Sequence, residues 1–334
     1  MCNIKVLDST LRDGGYVNNW NFGSDSVKFI VSNLQLANVE YIEVGFLTDG
    51  VNSESNTLFS SLEDVCAALP EDIDYSKIVV MFKVGKFSLN NFPNASNSKI
   101  KNIRLIFKKH EVDFGILAAK KLISMGYRVF VNPTFCANYS NGEFIKLLTQ
   151  VNEISPFAFS VVDSTGALNE ADNMQIFKVC NSALAKNIAL CFHFHNNLQL
   201  AFSNAKQVLE SLGDRKIILD STIYGIGRGA GNLQTEILAE YLNNNFSKNY
   251  NISYLQEILN CTIAPIYKKS PWGFTIPYYL SAKNGCHPYY AKFLSKFANL
   301  TYSQINCILQ SIPAKYKNIY DEKVIATLFS SAMK

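Results

Sequence analysis

The sequence predicts an α/β fold, a TIM (β/α)8 barrel followed by a helical C-terminal extension. Three observations lead there. Eight apolar runs of strand length alternate with helical patterns through the first 245 residues. Polar residues collect at the C-terminal end of almost every run, as in Asp8-Ser9-Thr10, Glu43, Lys83, Asn132, Asp163-Ser164-Thr165, His193/His195 and Asp220-Ser221-Thr222. The alternation then stops near residue 246. Near-continuous apolar strands belong to parallel sheets buried on both faces. Eight strand–helix units that close on themselves put their chemistry at the C-terminal ends of the strands. A doubly wound open sheet is the weaker alternative, because it gathers polar residues at one switch point and not in a ring.

In chain order the expected strands are 4–9, 41–46, 77–83, 102–107, 128–132, 158–163, 188–195 and 216–224. Helices are expected near 24–37, 55–68, 112–125, 141–153, 170–186, 198–212 and 233–244. In the first of these, Val27, Ile30, Val31, Leu34 and Leu36 mark an apolar face. The segment 84–101 reads as a loop. The barrel domain is taken as 1–245 and a helical domain as 246–334, in which 270–277 is a loop and helices lie near 278–283, 288–298, 301–311 and 321–331.

Composition excludes several classes. Hydrophobic residues make up 48% of the chain, ample for a large core, and the net charge of +4 is too small to argue for nucleic acid. The charge is uneven: residues 246–334 hold ten lysines, no arginine and only three acids, with ten of the 17 tyrosines. That tail is either a solvated helical surface or a docking face for an acidic partner or substrate. Its aromatics form an internal core or close over the barrel mouth. Eight cysteines are scattered without a CxxC, which fits a reduced, cytoplasmic protein better than a disulfide framework. The N-terminus has no signal-peptide pattern, and no apolar run reaches the ~18 residues of a membrane helix.

The chemistry starts from His193-Phe194-His195, which takes two of only four histidines in the chain. Side chains two apart on a strand point the same way, so both imidazoles converge. Such a pair also occurs as surface or hydrogen-bonded core histidines. Asp13, in Leu11-Arg12-Asp13-Gly14-Gly15 after the first strand, is a candidate third ligand. Two histidines and a carboxylate with open positions suit a divalent metal. Arg12 is a permanent cation suited to a developing enolate oxygen. The glycine-rich loop Gly225–Asn232 allows close backbone approach and precedes a helix whose N–H groups are suited to an anion. It is neither a P-loop nor a first-strand dinucleotide fingerprint.

Leu11-Arg12-Asp13-Gly14, Ile42-Glu43-Val44-Gly45-Phe46, Asp163-Ser164-Thr165-Gly166, His193-Phe194-His195-Asn196-Asn197 and Gly225-Ile226-Gly227-Arg228-Gly229-Ala230-Gly231-Asn232 occur in that order. In this combination the chain resembles the DRE-TIM metallolyase superfamily over roughly residues 3–240. That superfamily includes HMG-CoA lyase, isopropylmalate synthase and, nearest to this chain, the 4-hydroxy-2-oxovalerate aldolases. The resemblance implies that Asp13, His193 and His195 bind Mn²⁺ or Mg²⁺, with Zn²⁺ as the alternative, and that Asn232 is a further or outer ligand. It implies catalytic roles for Arg12, Glu43 and Tyr16, and substrate contacts from Arg12, Asp163, Thr165 and Asn232. Glu43 is equally an ion-pair partner of Arg12. Tyr16 stands where the bacterial aldolases carry a basic histidine, and a phenol of pKa ~10 is a poor base at neutral pH. His287 is the one other histidine with a functional look, against a plain helix-start role.

The activity implied is metal-dependent cleavage or formation of a 4-hydroxy-2-oxo acid from a pyruvate enolate and an aldehyde. A Claisen-type acyl-CoA condensing enzyme or lyase is the alternative within the superfamily, and a scaffold or partner subunit is the non-enzymatic one. The resemblance further implies a homo-oligomer, with an aldehyde dehydrogenase as the partner that C-terminal helices of this type contact.

Overall fold

The structure, a computed structural model, describes residues 4–50, 56–211 and 213–332. Each apolar run forms a parallel strand: β1 (Ile4–Asp8), β2 (Tyr41–Leu47), β3 (Ile78–Lys83), β4 (Asn102–Phe107), β5 (Arg128–Pro133), β6 (Ala158–Asp163), β7 (Ala189–Phe194) and β8 (Ile217–Ser221). Neighbours in sequence are neighbours in the sheet, and β1 pairs with both β2 and β8. The sheet is therefore a closed TIM barrel. A two-residue strand, Leu58–Phe59, adds to the rim of β2.

The two-residue period of the strands sorts their inward side chains into layers. The lower layer is apolar and includes Leu7, Tyr41, Val79, Phe130, Cys191 and Ile218. Two residues further along, Glu43, Arg104 and Asp220 stand inside the barrel, all within 1% exposure. His193 and His195 lie at the same end. Outward residues such as Val6, Ile42, Val44 and Leu219 pack under the helices.

Those helices are α1 (Ser24–Leu36), α2 (Leu62–Ala68), α3 (Val112–Ser124), α4 (Asn141–Ile154), α5 (Glu170–Ala183), α6 (Ala201–Glu210) and α7 (Thr235–Phe246). Local chemistry sets their starts. Ser140 and Glu143 form a reciprocal capping box at α4, and Asn169 caps α5 by accepting the Asp172 N–H at 2.9 Å. On α1, Val27, Ile30, Val31 and Leu34 are buried, but Leu36 is 51% exposed. It lies nine residues beyond Val27, half a turn off the apolar face. The helix expected from residue 55 begins at Leu62, where Ser61 accepts the Asp64 N–H at 3.0 Å; residue 55 is outside the described residues, as is Cys2. Strand β8 stops at Ser221 because Ile223–Gly225 turn sharply, with Tyr224 at φ +54°. Between β3 and β4 the chain makes only two short turns, and Phe87 and Phe92 cover the sheet in place of a helix.

One element was not expected. Residues 252–269 are helical, as α8 (Ile252–Ile258), a π-helical turn (Leu259–Ile263) and α9 (Ala264–Lys269). Pro265 sits just after the wide turn, and its ring and missing N–H disfavour a regular ladder there. The insertion breaks the 3.6-residue period that would have revealed the helix. Beyond it lie α10 (Ile276–Lys283), α11 (Pro288–Leu294), α12 (Tyr302–Gln310), α13 (Ala314–Lys317) and α14 (Glu322–Ala332). Leu255, Ile258 and Ile263 belong to the apolar cluster of the barrel, whereas Leu280 to Ile325 form a second cluster. The two-unit division of the chain is a proposal that this packing supports, with 250–266 on the barrel's side. The seven described cysteines are free thiols, and no described helix is long and apolar enough to cross a membrane.

Strand β2 carries a register shift between Glu43 and Phe46, and Gly45 within it has φ +148°. A Cβ at that position would overlap the Thr57 carbonyl oxygen. Gly45→Ala is expected to cost about 1–3 kcal/mol, read by urea unfolding, and to disturb Glu43.

Candidate metal centre and active site

The first functional loop is held from three directions. Asp8 accepts the Thr10 N–H at 2.9 Å and the Thr235 hydroxyl at 2.6 Å, which ties the end of β1 to α7. Burial pushes the Asp8 carboxyl up to about 6, against these hydrogen bonds. The Leu11 carbonyl accepts from Thr57 at 2.8 Å, and the Arg12 carbonyl accepts the Trp20 indole N–H at 2.9 Å. Thr10–Asp13 coil into one buried turn, which turns Arg12 and Asp13 into the barrel.

Six ionisable side chains then close a ring. Arg12 donates through Nη1 to Asp13 and through Nε to Glu43, both at 2.7 Å. Arg104 lies 3.5 Å from Glu43 and pairs with Asp220. Asp220 is 3.1 Å from His193 Nδ1, and His193 Nε2 is 3.3 Å from Asp13 Oδ2. The β7–β8 register places His193 directly beside Asp220. Every member is at most 5% exposed.

Asp13, His193 and His195 bring one ligand atom each within 4.8 Å of one another. Among the described residues three buried atoms here make no hydrogen bond: Asp13 Oδ2 (which has only the ion-pair-distance approaches of the His193 and His195 imidazoles), His195 Nε2 and Asn232 Oδ1. His195 donates from Nδ1 to the Asp163 carbonyl at 2.8 Å, which leaves Nε2 as a bare lone pair. Asn232 donates from Nδ2 to the Ile226 carbonyl at 2.9 Å, so its oxygen is free. Buried lone pairs left unpaired are costly, and a cation shared by Asp13, His193 and His195 would satisfy the first two. These residues fit a divalent metal. Burial penalises the Asp13 carboxylate, but Arg12 and then the imidazoles outweigh it and hold the carboxyl well below its usual range. Burial and the neighbouring His193 push His195 down to about 3, so it is neutral. Burial also opposes charge on His193, yet Asp13 and Asp220 raise it overall.

A cavity of about 290 Å³ opens over this cluster, lined by Arg12, Asp13, Tyr16, His193, His195 and Arg228 on one side, and by Lys83, Lys108 and Asn132 among others. His287, Asn318, Ile319 and Tyr320 bring the C-terminal helices to its mouth. His287 caps α11, accepting the Tyr289 N–H on Nδ1 at 3.2 Å. Burial and Arg228 push His287 down to about 2, so the ring is neutral and its one proton sits on Nε2. The 3.4 Å approach of Arg228 Nη1 to that nitrogen therefore sets donor against donor. Among the described residues Arg228 otherwise reaches only the Ser164 carbonyl, at 3.5 Å, and lies over the Tyr16 ring, while its Nε makes no hydrogen bond.

The comparisons with known proteins agree with this geometry. A family model, HMGL-like, matches residues 3–261. The chain belongs to the HMGL-like family. It is thereby a member of the DRE-TIM superfamily and an enzyme of the lyase class. A 4-hydroxy-2-oxovalerate aldolase of Moorella thermoacetica is 28% identical over 244 residues, 72% of this chain and 70% of the relative. An oxaloacetate decarboxylase of Mycobacterium tuberculosis is 25% identical over 71% of this chain and 69% of its own. Among solved structures, the N-terminal domain of a candidate aldolase from Bacteroides vulgatus superposes with a TM-score of 0.74 at 27% identity, covering 88% of this chain and 97% of that one. HMG-CoA lyase of Pseudomonas aeruginosa shares the fold, with a TM-score of 0.64 at 16% identity over 80% and 94% of the two chains.

In this HMGL-like site the sequence-predicted residues divide. Arg12, Asp13, Glu43, His193, His195 and Asn232 come together, and Tyr16 lines the cavity beside them. Asp163 and Thr165 do not line it. The Asp163 carboxylate accepts the Ala167 N–H at 3.0 Å and turns its own loop, while its carbonyl orients His195; Ser164 faces the cavity instead. In the glycine-rich loop the N–H groups of Ala230, Gly231 and Asn232 go to Asn197, Arg228 and Gly225. Its glycines serve close packing: a Cβ on Gly227 would overlap the Asn232 amide. Sequence reasoning missed Arg104, Arg228 and the role of Asp220. Arg104 and Asp220 are charged residues within apolar strand runs, which is a signal of buried pairing.

Asp220 holds Nδ1 of His193, whose Nε2 faces Asp13 in the candidate metal site. Asp220→Asn is expected to weaken Mn²⁺ binding about 10–100-fold in a calorimetric titration, with the fold retained by circular dichroism.

Proposed function

We propose that this HMGL-like lyase is a divalent-metal-dependent aldolase that makes or breaks the C3–C4 bond of a 4-hydroxy-2-oxo acid, with pyruvate and an aldehyde as the other side of the reaction. One observation carries the reading: ligand atoms of Asp13, His193 and His195, all buried, lie within 4.8 Å of one another at a cavity that Arg12 also lines. The names of the curated relatives support the same class.

Asp13, His193 and His195 hold the metal, with Asn232 as a fourth donor or an outer one. This mixed oxygen and imidazole set, completed by substrate and water oxygens, fits Mn²⁺ or Mg²⁺, and Zn²⁺ is compatible. When bound, the cation supplies Lewis-acid charge to the oxygens of the 2-oxo acid. Arg12 is fixed by Asp13 and Glu43, so its remaining Nη2 edge is preset toward a developing enolate oxygen and needs no reorganisation. Glu43 acts through Arg12 and is a positioning residue. Arg228 lacks a protein carboxylate among the described residues, and a substrate carboxylate completes its hydrogen bonding.

Tyr16 is the phenol nearest this chemistry. Burial raises it, with Arg228 and then Arg12 opposing, so it rests protonated. In condensation it delivers its proton to the aldehyde oxygen as the carbon–carbon bond forms. Cleavage, the reverse step, requires Tyr16 as the phenolate, whose charge Arg228 and Arg12 favour and whose oxygen then accepts the 4-hydroxyl proton. The free cysteines support a cytoplasmic, reducing location. A homo-oligomer, and an aldehyde dehydrogenase docked on the C-terminal helices, remain parts of the proposal that rest on the resemblance.

Two measurements test it. Mn²⁺-loaded protein is expected to exchange the pyruvate methyl protons with D₂O and to release pyruvate from 4-hydroxy-2-oxo acids, and Asp13→Ala to abolish both. Metal binding without exchange would sink the aldolase reading in favour of acyl-CoA condensation. Tyr16→Phe is expected to retain the exchange while cleavage falls about 10²–10⁴-fold. Equal loss of both would remove Tyr16 from the proton-transfer role.

A further inference from the structure

The cavity has two ends of different character. At one end stand Asp13, His193 and His195. Lys83 ends β3 and Lys108 directly follows β4, and both line the cavity half-buried. In the paired strands Lys83 lies opposite Ile106, two residues before Lys108. The third and fourth strands of an eight-stranded barrel face the seventh and eighth, so the lysines lie across the mouth from the histidines.

Neither ammonium group has a carboxylate partner or a side-chain hydrogen bond among the described residues. Glu111, the nearby acid, is committed to the Lys108 backbone N–H at 2.7 Å. Burial and then the Lys108 charge disfavour the Lys83 ammonium, and the Glu111 carboxylate only partly offsets them. Met81, Ile106 and Phe107 make the surrounding wall apolar. Two like charges held side by side against an apolar wall are unfavourable, and an anion between them reverses the sign of that interaction.

We propose that the aldehyde taken by this site carries an anionic group, a carboxylate or a phosphate, seated between Lys83 and Lys108. The inference rests on the aldolase reading and names the class of its second substrate. With the 2-oxo acid held at Arg12 and the metal ligands, the far end of the cavity receives the distal end of the aldehyde. An uncharged acceptor would leave both lysines without a counter-charge at the cavity wall.

The test uses full-length Mn²⁺-loaded enzyme and matched aldehydes. Condensation with pyruvate is measured for 4-oxobutanoate against butanal, and for glyceraldehyde 3-phosphate against glyceraldehyde, with pyruvate methyl exchange in D₂O read alongside. At least one charged member is expected to show about tenfold or greater kcat/KM over its uncharged partner. Whichever pair shows it separates carboxylate from phosphate. Lys83→Met and Lys108→Gln are each expected to lower that ratio about tenfold through the KM of the charged aldehyde. Exchange in the wild-type enzyme without preference for either charged aldehyde, or a ratio that neither variant moves, overturns this inference alone. Absence of exchange in the wild type overturns the aldolase reading and this inference with it.

Discussion

Arg104 is the side chain on which the site rests. It is fully buried in the centre of the barrel and holds two carboxylates, Glu43 on β2 and Asp220 on β8. Each carboxylate holds one further group that faces the cavity, Arg12 through Glu43 and His193 through Asp220. Asp13 closes the circuit between those two. Bringing ions out of water is costly, and the cost is offset only when every charge has its counter-charge and its hydrogen bonds. Removing one member leaves a buried charge uncompensated, at about 3–5 kcal/mol. The ring therefore has essentially one arrangement, and that arrangement points His193 and Arg12 at the same volume.

The fold makes such a ring available through its two-residue period. A parallel strand buried on both faces sends alternate residues inward, and in a closed barrel those residues stack in layers. Tyr41 and Glu43, Phe130 and Asn132, Cys191 and His193, and Ile218 and Asp220 are successive inward pairs. In each pair the first residue is apolar and the second polar. The apolar layer below excludes water from the ring and strengthens its electrostatics. Ser160, donating to Asn132 at 2.6 Å and lying 3.4 Å from Arg104, fills the polar layer on the β5–β6 side.

The parts of this arrangement that depend on period and local spacing were legible in the sequence. The strands and most barrel helices follow from apolar runs, and His193 with His195 from their separation. Residues that meet only through closure were harder. Arg104 within Asn102–Phe107 and Asp220 within Ile217–Ser221 announce buried charge, but the chain does not say which carboxylate meets which arginine. Asp163 misled because a motif position shows chemistry without direction: its carbonyl serves His195 while its carboxylate folds the next turn. The helix over residues 252–269 escaped because a π-helical turn and Pro265 shift its apolar face part-way along. Charge counted from residue 246 groups that barrel-packed helix with a tail that has its own apolar core.

The tail's contribution to the site follows from the same rule of pairing. His287 reaches the cavity because its Nδ1 caps a helix and its backbone N–H bonds the Lys317 carbonyl, so the imidazole is fixed by the tail's own framework. Tyr290, buried in that framework, donates to the carbonyls of Tyr316 and Ile319 and accepts the Asp321 N–H. It thereby anchors the segment that carries Asn318, Ile319 and Tyr320 to the mouth. A neutral imidazole whose free nitrogen bears a proton cannot satisfy Arg228. Among the described residues the Arg228 guanidinium under this roof is therefore short of acceptors beside the candidate metal ligands Asp13, His193 and His195. In the proposed reaction one carboxylate-bearing oxo acid would meet this deficit, accepting from Arg228 and Arg12 beside the candidate metal ligands. The roof narrows the cavity around such a molecule without competing for either partner.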